Sequence, residues 1–151
     1  MTTDRQSITH FLNVDLDIYS RSDLQPLVSA LGKKVIVLHA GRDKRTFSAH
    51  LELARNARNA DAAISAFCVL IESLGPRERA LWNASKIRDF SIGVQAGDHP
   101  RACEFALAAA TLKAAAKLGA RVSFVVYAPE NSSCWGDSPA VAVLAAPDAS
   151  G

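Results

Sequence analysis

Two short stretches of this sequence carry the residue types that can bind a cation or move a proton. Asn13, Asp15 and Asp17 stand at every second position of FLNVDLDIY (11–19), and Ser48, His50 and Glu52 do the same in TFSAHLEL (46–53). Side chains two apart on a β-strand share a face, so each run presents one apolar side and one polar side. If the two runs pair antiparallel, directly opposed residues come within roughly 5 Å at Cβ. Three carboxylates and an imidazole then converge, which is a donor set for a divalent cation or for acid–base work by Asp15, Asp17 and His50. A slip of one residue in register takes the cluster apart. The plainer reading, and the one the sequence favours, is a wet sheet face whose charges hold water. These six residues are therefore candidate ligand-binding positions. No catalytic residue or metal ligand is assigned, and no cofactor is expected.

The other reactive side chains point to less. His39 closes the second strand and reads as a packed or turn histidine; His10 and His99 flank elements. Cys68 falls on a helix between Ile64 and Ile71 and behaves as a small core residue. Cys103 is expected in the first turn of a helix, where the dipole favours a thiolate, but no histidine stands at helical spacing to activate it. Three cysteines without a CxxC pair argue against a disulfide framework and a structural zinc site. The expected setting is the reduced cytoplasm. GxxxxGK[ST], GxGxxG, GxSxG and HExxH are all absent, so nucleotide-dependent and common hydrolytic schemes lose their best support.

The elements that position these residues follow from periodicity. FLNVDLDIY is the first strand, with Leu12, Val14, Leu16 and Ile18 inward. Ser22 and Gln25 suggest a capping box for a helix through Leu31 that stops at Gly32. KKVIVLH (33–39) is the second strand, GRDKR (41–45) a polar turn, and Thr46 to Leu53 the third strand. Asn59 caps a helix with Ile64, Phe67, Ile71 and Leu74 as its stripe, and Pro76 opens another carrying Trp82. Phe90, Ile92 and Val94 mark a fourth strand. Asp98 and Pro100 open a helix with Phe105, Ala109, Leu112 and Ala116 on one side, Gly119 ends it, and Arg121 to Tyr127 is the fifth strand. The predicted fold is α+β: a ferredoxin-like βαββαβ core plus a C-terminal αβ unit, forming a mainly antiparallel five-stranded sheet with helices on one face. It is read as one domain over 1–130. The stretch 131–151, rich in Ser, Pro, Ala, Gly and Asp, is read as a flexible tail.

The segments DFSIGVQAG, TLKAAAKLGA and RVSFVVYAP together resemble a set of small uncharacterised bacterial α+β domains of unknown function. In those domains a helix ending in a leucine-glycine-small step likewise leads into a last strand closed by an aromatic residue. The likeness covers about the last third of the chain. Some of those proteins stand near toxin systems as immunity or accessory proteins, so the resemblance implies a binding role and transfers no catalytic residue.

Charge and hydropathy limit the partners. With 17 basic and 15 acidic residues the net charge is +2, too small to imply nucleic-acid or membrane binding. The outward positions of the two central strands lack the aromatic rings on which RNA-recognition domains stack bases, and their acids repel phosphate. No secretory leader is expected from MTTDRQ, and no window approaches the roughly 18 apolar residues of a membrane span. The expected function is a non-enzymatic module binding a protein partner or small ligand, an immunity-like role among its forms. A metal- or acid–base-dependent enzyme and a self-associating structural domain are the alternatives.

Overall fold

A computed structural model describes residues 7–129. The expected tail at 131–151, with Cys134, lies outside these residues. The elements run β1 (His10–Ser20), α1 (Gln25–Leu31), β2 (Val35–Asp43), β3 (Thr46–Leu53), α2 (Ala60–Glu72), α3 (Pro76–Ala84), β4 (Ile87–Gln95), α4 (Ala109–Lys117) and β5 (Arg121–Tyr127). The fold is α+β, with one five-stranded mixed sheet in the order β2-β3-β1-β4-β5. β1 pairs antiparallel with both β3 and β4, and β2 pairs antiparallel with β3, whereas β5 is parallel to β4. The parallel pair qualifies the expectation of a mainly antiparallel sheet. A helical crossover between neighbouring strands returns the chain to its starting end, and α4 is such a crossover.

All four helices bury their apolar stripes on one side of the sheet. Val14, Leu16 and Ile18 of β1, Ala49 and Leu51 of β3, and Phe90, Ile92 and Val94 of β4 form a single cluster with Leu27, Ile64, Phe67, Ile71, Trp82 and Leu118. Phe67 stacks on Phe90, their ring centroids 5.8 Å apart. Trp82 is fully buried, and its indole nitrogen donates to the Leu118 carbonyl at 2.9 Å, pinning α3 to the end of α4. Asn59 caps α2 by accepting from the Ala62 amide, and Pro76 opens α3. Gly32 and Gly119 stop their helices at φ 56° and 66°, a region that L side chains adopt at a cost.

Four local expectations are corrected. No capping box forms at α1: Ser22 donates its amide to the Ser20 hydroxyl, Asp23 accepts from the Gln25 amide, and Leu24 stands at the N-cap. β2 runs on to Asp43, leaving a tight turn at Lys44, where φ is 52°. Leu12 is exposed because a bulge between Phe11 and Asn13 makes it the extra residue, and Phe11 packs against the core instead. α4 begins at Ala109, not near Pro100, so Cys103 lies on irregular, exposed chain. Residues 97–99 are held against the approach to β1, where Asp98 and His99 donate to the Ser7 carbonyl and Ile8 bridges to His99. A Cβ on Gly97 would meet the Ser7 carbonyl oxygen at 2.5 Å. The late start also turns α4, which buries Thr111 and Ala115 and exposes Leu112. Asp61 on α2 supplies a cap that α4 lacks, accepting from the Ala108 amide at 2.8 Å.

Candidate functional site

The other sheet face is polar and carries the six expected residues together. The register sets Asp15 opposite Glu52 and Asp17 opposite His50, with Ser48 opposite Tyr19. Asn13 begins the β1 series and donates its amide to Asp15 Oδ1 at 3.0 Å and to Glu52 Oε1 at 2.6 Å. One amide thus draws two carboxylates together. Burial, then the charges of Glu52 and Asp17, pushes the Asp15 carboxyl up to about 6. His50 Nδ1–H donates to Asp17 Oδ1 at 2.6 Å, which fixes the tautomer and leaves Nε2 as the ring's second functional atom.

Four neighbours extend the face beyond the six. A bulge between Val37 and His39 makes Leu38 the extra residue of β2, so His39 lies directly across from His50, their ring centroids 5.7 Å apart. Uninterrupted alternation would set Leu38 in that place; the reading of His39 as a packed or turn histidine is corrected, since it is exposed and lies within β2. Tyr19 continues the outward series of β1, and its ring meets His50 edge-on at 5.6 Å. Burial, then Asp17, raises its phenol above the ordinary value. On the far side Asp17 faces Asp89 of β4, and Asp89 faces Arg121 of β5. Asp89 is not among the residues expected from the sequence; the signal that could have found it is its place two residues before Ser91, on the side of β4 opposite Phe90, Ile92 and Val94.

The result is a five-residue row across the whole sheet: His39, His50, Asp17, Asp89, Arg121. Asp89 Oδ2 accepts from Arg121 Nη2 at 3.0 Å and from the Ser123 hydroxyl at 2.9 Å. At the β2 end, Tyr19, His39, Asp43, Thr46, Ser48 and His50 line an open hollow of about 470 Å³. Among the described residues no group of three or more His, Cys, Asp or Glu side chains is arranged to hold a metal ion. The hydrogen-bonded Asp17–His50 pair can take up or deliver a proton, and the Asp15–Glu52 pair can share one. Comparison with protein-family models, curated proteins and solved structures finds no match to this chain.

Proposed function

We propose that this domain is a non-enzymatic binding module whose polar sheet face receives a positively charged group from a protein partner or small ligand. The observation that carries this reading is the Asn13 bridge, which holds Asp15 and Glu52 side by side with Asp17 next along β1. Among the described residues the charged side-chain contacts are Arg121–Asp89 and the hydrogen-bonded His50–Asp17 pair, an ion pair only with a protonated imidazole, so neither Asp15 nor Glu52 has a fixed cation. A visiting cation would relieve that crowding. An immunity-like role, in which a basic protein docks on the face, is one form of this function. Repulsion of phosphate by the same acids sets nucleic acid aside, and among the described residues no helix is long and apolar enough to cross a membrane. Free Cys68 and Cys103 suit a reduced, cytoplasmic setting. For the architecture, β1 and β3 as antiparallel central neighbours, flanked by β4 and β2, support a ferredoxin-like core extended by α4 and β5.

The test is a titration of a short lysine-rich peptide, followed by backbone amide shifts. Shifts are expected on β1 and β3, weakening with salt, and much reduced in an Asp15→Asn/Glu52→Gln variant. Equal binding of a glutamate-rich peptide, or no response on β1 and β3, would overturn the reading. One observation favours a second reading, an acid–base enzyme using Asp15, Asp17 and His50: the 2.6 Å Asp17–His50 bond borders the hollow beside His39. Self-association is a third, and the exposed Phe124, Val125, Val126 and Tyr127 on edge strand β5 support it.

A further inference from the structure

At one end of the sheet β1 and β3 diverge. Their ladder stops at Asp15–Glu52, whereas β1 stays paired with β4 as far as His10–Gln95. β3 ends at Leu53, and the Ala54 amide donates to the Lys34 carbonyl, which draws the chain away from β1. The gap left beside the bulge in β1 is an open cavity of about 300 Å³. Its lining carries both signs of charge: Glu52, held by Asn13, comes from the strands, and Arg55 and Arg58 come from the connection between β3 and α2. Phe11, Leu12, Leu53 and Ala57 make its apolar surface. Both arginines are exposed, and among the described residues neither is in an ion pair, although Arg58 acts through space on Asp61. Gly93, across from Asn13 on β4, gives the bridging amide its room, since a Cβ there would meet Asn13 Oδ1 at 2.9 Å.

We infer that this cavity binds a free α-amino acid with an aliphatic side chain, its ammonium at Glu52 and its carboxylate at Arg55 and Arg58. The inference rests on the reading of the polar face as a receptor for a positive group, and adds a negative charge and an apolar part to the ligand. The mixed lining selects this class. A simple cation that enters meets two arginines, and a simple anion meets Glu52 with Asp15 beside it. Either one leaves charged groups of the cavity desolvated without a partner, which is costly. A ligand that carries both charges close together satisfies both. Arginine grips a carboxylate through paired N–H donors, and an ammonium donates to single acceptors such as the Glu52 carboxylate. Arg58 immediately precedes Asn59, the N-cap of α2, and Ala63 near the start of that helix lines the cavity. The positive end of the helix therefore adds to the pull on a carboxylate. Small-molecule sites run from roughly 300 to 1,000 Å³, and a cavity at the lower end suits one amino acid rather than a length of peptide.

The test titrates the protein with L-leucine, followed by calorimetry and backbone amide shifts. Three further probes each lack one part of it: 3-methylbutylammonium the carboxylate, 4-methylpentanoate the amine, and glycine the side chain. Saturable binding of leucine is expected, with shifts at Asn13, Glu52 and residues 55–58. Each of the other probes should bind at least about tenfold more weakly, the scale of one lost charged contact or one unburied aliphatic side chain. Glu52→Gln keeps an acceptor for Asn13, and the double change Arg55→Gln/Arg58→Gln breaks no ion pair among the described residues, so both variants should fold. Each should weaken leucine binding at least about tenfold. Glu72→Gln, on the exposed side of α2, should leave it unchanged. No saturable binding of leucine, equal binding of any of the other three probes, or leucine binding that ignores either variant would overturn the inference. A lysine-rich peptide that still shifts β1 and β3 in that event would leave the wider reading standing. Failure of the peptide as well would remove both.

Discussion

The Asp15 carboxyl sets a pH dependence with a definite sign. Burial and the charges of Glu52 and Asp17 raise it from 3.8 to about 6, so folding disfavours its ionised form. The stability it contributes is fully present below the unfolded value and is lost as pH rises through about 6. At neutral pH the ionised group costs about 1 kcal/mol, discounted for its half-exposed setting. Asp15→Asn keeps an acceptor for Asn13 and removes the charge. It is expected to stabilise the protein at neutral pH, the advantage fading as pH approaches 4. Urea unfolding of both proteins across this range checks it, and parallel curves would show that folding does not raise the Asp15 carboxyl. Alternation in β1 and β3 made this cluster legible, because period two needs no tertiary information. Their mutual register did not follow from the sequence alone, and His39 was hidden by a bulge that no local residue type announces.

At the scale of elements, strong apolar periodicity was legible and weak periodicity was not. In α2 the stripe Ile64, Phe67 and Ile71 is buried as expected. Phe67→Ala is expected to cost about 3–5 kcal/mol, since the ring is fully buried against Phe90. Thermal or denaturant unfolding measures this, and a loss below about 1 kcal/mol would mean that the site collapses around the gap. In α4, by contrast, alanine is so frequent that several faces look equally apolar. Its true start is set by contacts distant in sequence: Ser7 accepting from residues 98 and 99, and Asp61 accepting from Ala108. Neither leaves a mark on the local pattern. The parallel placement of β5 follows once α4 is known to be a crossover, but its position at the edge beside β4 is a fact of tertiary packing.

For the whole molecule, the central place of β1 matters most. Among the described residues it is the first strand, and it lies between β3 and β4, which are made later. At a ribosomal rate of roughly 5–20 residues per second, β1 waits on the order of several seconds for β4 to emerge. During that interval a strand with Val14, Leu16 and Ile18 on one side is open to pairing with other nascent chains. Asn13, Asp15 and Asp17 at the alternate positions act in that interval as gatekeepers, since charge on a strand discourages stacking with its neighbours. The acids of the mature face are thus a safeguard of biosynthesis as well. Replacing Asp15 and Asp17 together by valine is expected to lower the soluble yield of cell-free synthesis by a larger factor than the recovery of purified chain refolded from urea. Equal losses by both routes would place the whole effect in the finished fold. The strand that presents the face to a partner is also the one that has to stay unpaired longest, and its sequence answers both demands with the same residues.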